Sequence, residues 1–256
     1  MNYTFWHNFL KKDEMERELE QRIPEILSAI SFNTHQKLKY ELTEGGVILF
    51  QGDSITDKDR DWNSVKYSSP QNLGSGYAFL ASEILLKNYP EKKLKIFNKG
   101  ISGDKVYQLF NRWETDCFAI KPDILSILIG VNDFGHTLNS VNKYKGSVAI
   151  FENDFRKLLN LTLERLPQIK LIIGEPFGLK GLKYITDDWY PEFDKYRAAS
   201  LKIAEEFNTL FIPYQEIMDE AQKIAPASLW SEDGVHPTFN GHKLMAQAWL
   251  KASQLL

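Results

Sequence analysis

Five short apolar runs recur along the chain, and longer segments of helical period separate them. The runs are GVILF (46–50), LKIFN (94–98), DILSILIG (123–130), IKLIIGEP (169–176) and TLFIPY (209–214). Each is a short, largely continuous apolar run, as expected of strands covered on both faces. Between them, AIFENDFRKLLNLTLERL places Phe151, Phe155, Leu158, Leu159 and Leu163 on one helical face. Strand, helix, strand, repeated, predicts a parallel sheet with helices on both sides. A last helix is expected after HPT, with Thr238 as its N-cap and Leu244, Met245, Ala248 and Trp249 turned inward. The 256 residues suffice for one such domain with a substantial core. Residues 1–44 stand outside this rhythm: Ile23, Ile26, Leu27 and Ile30 form a helical stripe behind the charged KKDEMERELEQR. The stripe reads as a helix packed on the domain's flank, an oligomerisation arm that would make a homo-oligomer, or a lid. The expected organisation is an N-terminal helical extension (1–44) and one domain (45–256).

A net charge of −3 and scattered basic residues, such as Lys11-Lys12 and Lys92-Lys93-Lys95, give no footprint for nucleic acid. No stretch approaches the roughly 20 apolar residues of a membrane span. Charges arrive at Lys11 before an apolar signal core can form, so a cytoplasmic location is expected. Cys117 is the only cysteine, which excludes an internal disulfide. Its setting, WETDCFAI, is one turn of an amphipathic helix, where a buried apolar role is expected.

In an open parallel sheet, ligands bind beyond the carboxyl ends of the strands. The residues just after each run are therefore informative. GDSIT carries Ser54, NKGISGD carries Gly100 and Gly103, GVNDFG carries Asn132, and SEDGVHPT carries Asp233 and His236. A serine hydroxyl becomes a useful nucleophile when an imidazole accepts its proton, and His236 is the candidate. The imidazole needs a carboxylate to fix its tautomer, and Glu232 and Asp233 compete for that role. The backbone amides of Ser54 and Gly103, with the Asn132 side-chain amide, are candidate donors to an oxyanion. Glycine at 103 lets the backbone approach a substrate without a Cβ. Gly100-Ile101-Ser102-Gly103 lacks the G-x-S-x-G spacing of a nucleophile elbow, which argues against a conventional α/β-hydrolase.

Asp57, Asp59 and Asp61 alternate like the start of a calcium loop, but Trp62 and Ser68 stand where glycine and glutamate belong. A solvated acidic loop is expected, and no metal or cofactor. His242 reads as structural, while His136 is expected either to line the cleft or to face solvent; His7 and His35 carry no assignment.

The four blocks, in this order, resemble those of the SGNH (GDSL-type) esterase superfamily over about residues 46 to 256. Ile55 stands where the family's usual leucine does. The resemblance implies a flavodoxin-like α/β/α sandwich around a five-stranded parallel sheet. It implies Ser54 as nucleophile, Asp233 and His236 as its partners, and Ser54, Gly103 and Asn132 as the oxyanion hole. Asp233 is preferred to Glu232 because its distance from His236 matches the family block. GSGY (74–77), NKGISGD and WSEDGVHP are most similar to the acetylxylan esterase branch. The expected activity is thus a serine esterase that removes short acyl groups, above all acetyl, from sugar hydroxyls of xylo-oligosaccharides through an acyl-enzyme. A lipase- or thioesterase-like hydrolase and a non-catalytic carbohydrate-binding module are the alternatives. The expected partner is a small-molecule or oligosaccharide ester. Asp53, Trp189 and Trp230 are assigned to substrate contact, the tryptophans, like Tyr190, as aromatic surfaces for a sugar ring.

Overall fold

The computed structural model describes residues 17–32, 40–138 and 143–255. Five strands, β1 (Val47–Gly52), β2 (Lys95–Asn98), β3 (Ile124–Leu128), β4 (Lys170–Gly174) and β5 (Leu210–Ile212), form one sheet in the order β2-β1-β3-β4-β5. Every neighbouring pair is parallel. The helices are α1 (residues 17–28), α2 (Ser54–Asp57), α3 (Pro70–Leu73), α4 (Tyr77–Asn88), α5 (Val106–Asn111) and α6 (Val131–Gly135), followed by α7 (Val148–Arg165), α8 (Glu192–Glu206), α9 (Tyr214–Ile224) and α10 (Phe239–Ser253). This is the flavodoxin-like order, and with helices on both faces it gives the expected three-layer sandwich.

All five runs become strands because both of their faces are covered. On one side α4 packs against α10, where Phe50 meets Tyr77 and Trp249 at centroid distances of 5.8 and 5.1 Å. The Trp249 indole donates to Ser126 Oγ of β3 at 3.0 Å, satisfying a polar group that burial would otherwise strand. On the other side α7 packs against α5 and α8. There Phe155, Leu158 and Leu159 are wholly buried, as the helical periodicity predicts. Thr238 caps α10 by accepting from Gly241 N–H, and Leu244, Met245, Ala248 and Trp249 are fully buried. Cys117 is buried, and burial pushes its thiol up to about 12.

The hydrophobic stripe of α1 joins the main core: Ile23, Ile26 and Leu27 are 1–3% exposed. Lys243 of α10 pairs with Glu20 at 2.7 Å, and Lys251 donates to Leu27 C=O at 2.7 Å. Of the three readings of the extension, this placement is the helix on the flank. The first part of the extension, with Lys11-Lys12 and His7, lies outside the described residues, as does His35. No described helix is long and apolar enough to cross a membrane.

Candidate active site

The strand order brings three loops to one point. β1 lies between β2 and β3, and Gly52 at its end pairs with Leu128 at the end of β3. Chain leaving β1 reaches Ser54, and chain leaving β3 reaches Asn132, so both stand over the switch point of the sheet. Gly52 permits this approach: a Cβ there would sit 2.3 Å from Leu128 O and 2.4 Å from Thr56 Oγ1.

Ser54 opens α2, and its Oγ lies 2.9 Å from His236 Nε2. His236 Nδ1 lies 2.7 Å from Asp233 Oδ2. With Nδ1–H donated to the carboxylate, Nε2 is left as the acceptor for the serine proton. Burial opposes ionisation of Asp233, but hydrogen bonds from the His236 backbone and ring and from Val235 N–H outweigh it. Its carboxyl is held below the usual range. Glu232 is exposed, and the imidazole goes to Asp233. Ser231 Oγ donates to His236 C=O at 2.9 Å and accepts from Gly234 N–H at 2.9 Å, which ties the 231–236 loop into one unit.

Facing Ser54 is the turn after β2. Gly103 adopts a left-handed φ of +85°, and a Cβ there would find nothing nearer than His136 Cε1 at 4.0 Å. The turn is clamped from both ends. Asp57 accepts from Ser102 N–H at 3.1 Å and Ser102 O–H at 2.8 Å, and Arg60 Nε donates to Gly100 C=O at 2.7 Å. Downstream, the buried Lys105 ammonium donates to Gly103 C=O at 3.3 Å and Gln108 Oε1 at 3.1 Å, and it lies 5.0 Å from the Tyr144 ring. Burial lowers the Lys105 pKa, while the Asp133 and Asp104 carboxylates oppose that. The Asn132 amide donates one hydrogen to Asp104 C=O at 3.2 Å, which leaves its second N–H for a ligand. A serine hydroxyl, an imidazole, a carboxylate and amide donors therefore stand together, an arrangement suited to acyl transfer.

Two of the expected substrate contacts need correction. Asp53 is 1% exposed because its side chain turns back to cap α2, accepting from Ile55 N–H at 3.0 Å. Burial pushes its carboxyl up to about 7. Trp230 is fully buried, and its indole donates to Ala225 C=O at 3.1 Å; it is a core residue. Trp189 is also buried, edge-on to Phe134 and Phe193, yet it lines the cleft. Tyr190 is partly buried and donates to Gly178 C=O. Ser102 serves Asp57, as its failure to fit a nucleophile motif suggested. Asp59 accepts from Ser75 and Asp61 from Asn63 N–H, so the three aspartates of the acidic loop are engaged separately. Among the described residues, no group of three or more acidic, His or Cys side chains could hold a metal.

His242 is buried and accepts from Tyr77 N–H, a structural place, with burial lowering it to about 3. His136 lines the cleft beside Asn132 and His236; burial, then the Lys105 charge, lowers its pKa. The cleft measures about 680 Å³, within the ordinary range for small-molecule sites. Tyr184 and Asp188 complete its wall. Sequence reasoning missed Lys105, Tyr184 and Asp188. The only signal for Lys105 was its position two residues after Gly103; in the β4–α8 loop the aromatics Trp189 and Tyr190 drew attention, and the residue types of Tyr184 and Asp188 did not.

The model of the GDSL-like Lipase/Acylhydrolase family matches residues 50–244. An acetylxylan esterase of Geobacillus stearothermophilus is 37% identical over 214 residues, 82% of this chain and 95% of that protein. The crystal structure of an acetylxylan esterase from that organism superposes with a TM-score of 0.73 at 33% identity, covering 84% of this chain and 96% of that one. Its solved forms include catalytic mutants in which a serine, an aspartate or a histidine is replaced by alanine, the last two being three positions apart. A Parabacteroides merdae protein described as a GDSL-like lipase superposes with a TM-score of 0.83 at 50% identity, covering 85% of this chain and all of that one. The parallel sheet, the four loops in register and these likenesses over most of the chain agree: it belongs to the GDSL-like lipase/acylhydrolase family and is a carboxylic ester hydrolase.

Proposed function

We propose that this esterase removes acetyl groups from sugar hydroxyls, as on xylo-oligosaccharides, through an acyl-enzyme on Ser54. The observation that carries the chemistry is the chain Ser54–His236–Asp233, at 2.9 and 2.7 Å, beside Gly103 and Asn132. In this reading Ser54 Oγ attacks the ester carbonyl as its proton passes to His236 Nε2, and Asp233 stabilises the imidazolium. The carbonyl electrons move onto oxygen, which the Ser54 and Gly103 amides and the free Asn132 N–H receive. The C–O bond to the alcohol then breaks, and His236 returns its proton to that alcohol. Water, deprotonated by the same imidazole, repeats the attack and releases the carboxylate.

Support for acetyl and sugar comes from the similarity to an acetylxylan esterase and from the cleft. Its walls mix Asn132, His136 and Asp188 with Val131 and Trp189, where a long acyl chain would need an unbroken apolar trough. The test is kcat/KM on acetyl, butyryl, octanoyl and palmitoyl p-nitrophenyl esters, and acetate release from acetylated xylo-oligosaccharides. Each methylene that a small pocket rejects costs about 1 kcal/mol or more, so activity should fall steeply beyond butyryl. A maximum at octanoyl or beyond, with no acetate released from sugar, would instead favour the lipase-like reading.

A further inference from the structure

We infer that the loop between β4 and α8 is the subsite for the alcohol half of the substrate, with Tyr184 and Asp188 binding the sugar ring that bears the ester. The inference rests on the deacetylase reading and goes beyond it by naming the surface that distinguishes a sugar ester from any other acetate ester.

The open volume of the cleft decides where the alcohol goes. It is lined by Asn132, His136 and His236 from the catalytic elements and continues along Tyr184, Thr186 and Asp188. An acetyl group uses only a small part of about 680 Å³, so most of this space serves what lies across the ester oxygen.

The loop is built as a rigid wall. Tyr184 N–H donates to Asp233 C=O at 2.8 Å, and Leu179 N–H donates to Gly234 C=O at 2.9 Å. The same residues that hold His236 therefore hold Tyr184. Ile185 is buried beneath it against Gly234, where a Cβ would come within 2.7 Å of Ile185 Cγ1. At the loop's far end, Trp189 packs onto Gly135 of α6, where a Cβ would lie 2.8 Å from the ring. The loop thus spans from the histidine loop to the helix that carries Asn132. The backbone at Tyr184, and that of Trp189 beside Asp188, is thereby tied to the two catalytic elements.

The chemistry presented is that of a pyranose binder. The Tyr184 side chain is exposed at 47%, with the Lys183 ammonium 4.8 Å from its ring centroid, so the sugar is assigned to the face that the ammonium does not cover. Asp188 is exposed, and its carboxylate makes no hydrogen bond or ion pair among the described residues, so its oxygens are available to accept from hydroxyl groups. An aromatic surface beside a hydroxyl acceptor matches a sugar's apolar ring face and polar edge; a lipid tail or a small alkyl alcohol uses neither, and a flat aromatic leaving group can stack on the ring but has no hydroxyl to offer Asp188.

The experiment compares wild type, Tyr184→Ala, Tyr184→Trp and Asp188→Ala on two substrates: acetylated xylo-oligosaccharides and ethyl acetate, whose alcohol is too small to reach the ring. Tyr184→Ala and Asp188→Ala should each lower kcat/KM for the sugar ester at least tenfold more than for ethyl acetate, chiefly through KM. Tyr184→Trp should restore most of the Tyr184→Ala loss, because it restores the aromatic surface. Equal losses on the two substrates, or none on the sugar, would overturn the subsite while wild-type acetate release from sugar leaves the deacetylase reading standing. If the wild type releases no acetate from sugar but hydrolyses ethyl acetate, both readings fall together.

Discussion

At the scale of single residues, what matters is which hydrogen-bonding partner each side chain has. In the proposed reaction Ser54 and His236 work as a pair, since the hydroxyl needs the imidazole to take its proton. Ser54→Ala and His236→Ala should each lower kcat by several orders of magnitude, and the double variant should cost little more than either. Steady-state rates on p-nitrophenyl acetate check this, and additive losses would show that the two residues act separately. Asp133 makes a different kind of prediction. Burial pushes its carboxyl up to about 7, although Val106 N–H and the Lys105 charge oppose this and Asp154 adds to it. One of its oxygens has no partner. A folded value above the unfolded one, about 4, means the folded state loses stability as pH rises from about 4 to about 7, after which the cost is level. Asp133→Asn keeps the acceptor for Val106 and removes the ionisation, so it should raise Tm more at pH 8 than at pH 5. Thermal melts at the two values test this, and an equal change at both would remove the titration argument. Ser54, His236 and Asn132 were legible because their residue types are demanded by the chemistry. Asp53 and Trp230 were misread because cap geometry and a buried indole partner are decided by how a loop folds back, which residue type does not encode.

Elements were legible where the covering of both faces left an unbroken apolar run, and their ends shifted where pairing or chain chemistry intervened. GVILF continues to Gly52 because β3 runs alongside it up to Leu128. TLFIPY shrinks to Leu210–Ile212, since β5 is an edge strand that pairs only with β4 and Pro213 has no N–H to donate. The turn at 98–104 was legible as a donor loop, but its clamps were not, because Asp57 and Arg60 reach it from the segment after β1 and the Lys105 side chain folds back onto it. Of these, Lys105 is the most direct: its ammonium holds the carbonyl of Gly103, the residue whose amide is proposed as an oxyanion donor. Lys105→Met keeps much of the buried stem and removes both hydrogen bonds, so the Gly103 turn should lose its fixed aim. The expected outcome is about tenfold lower kcat with KM for p-nitrophenyl acetate little changed, and partial recovery in Lys105→Arg, consistent with the sensitivity of oxyanion donors to placement. A rise in KM with kcat intact would assign Lys105 to substrate binding instead.

For the whole molecule, the question is what the helix ahead of the sheet contributes. The stripe of α1 is legible as amphipathic, but sequence periodicity cannot say whether its apolar face meets the same chain or another copy. Here it meets the main core, and its polar ties run to Lys243 and Lys251 of α10. Thr238, the N-cap of α10, lies two residues beyond His236, so α1 is tied to the candidate active site through the helix that follows the histidine loop. Loosening α1 should therefore be felt first as stability and only weakly as rate. Ile26 is 2% exposed, and truncating a buried isoleucine to alanine costs about 2–5 kcal/mol. In a protein of this size that corresponds to a fall in Tm on the order of 5–15 °C. The lower end is expected if α1 detaches locally before the sheet unfolds, because local opening limits how much of the loss is seen globally. Ile26→Ala should show that fall while kcat on p-nitrophenyl acetate at 25 °C stays within a few-fold of wild type. A thousandfold loss of kcat in a protein whose Tm has not moved would instead make α1 a working part of the cleft, a lid acting on the site from outside the sheet.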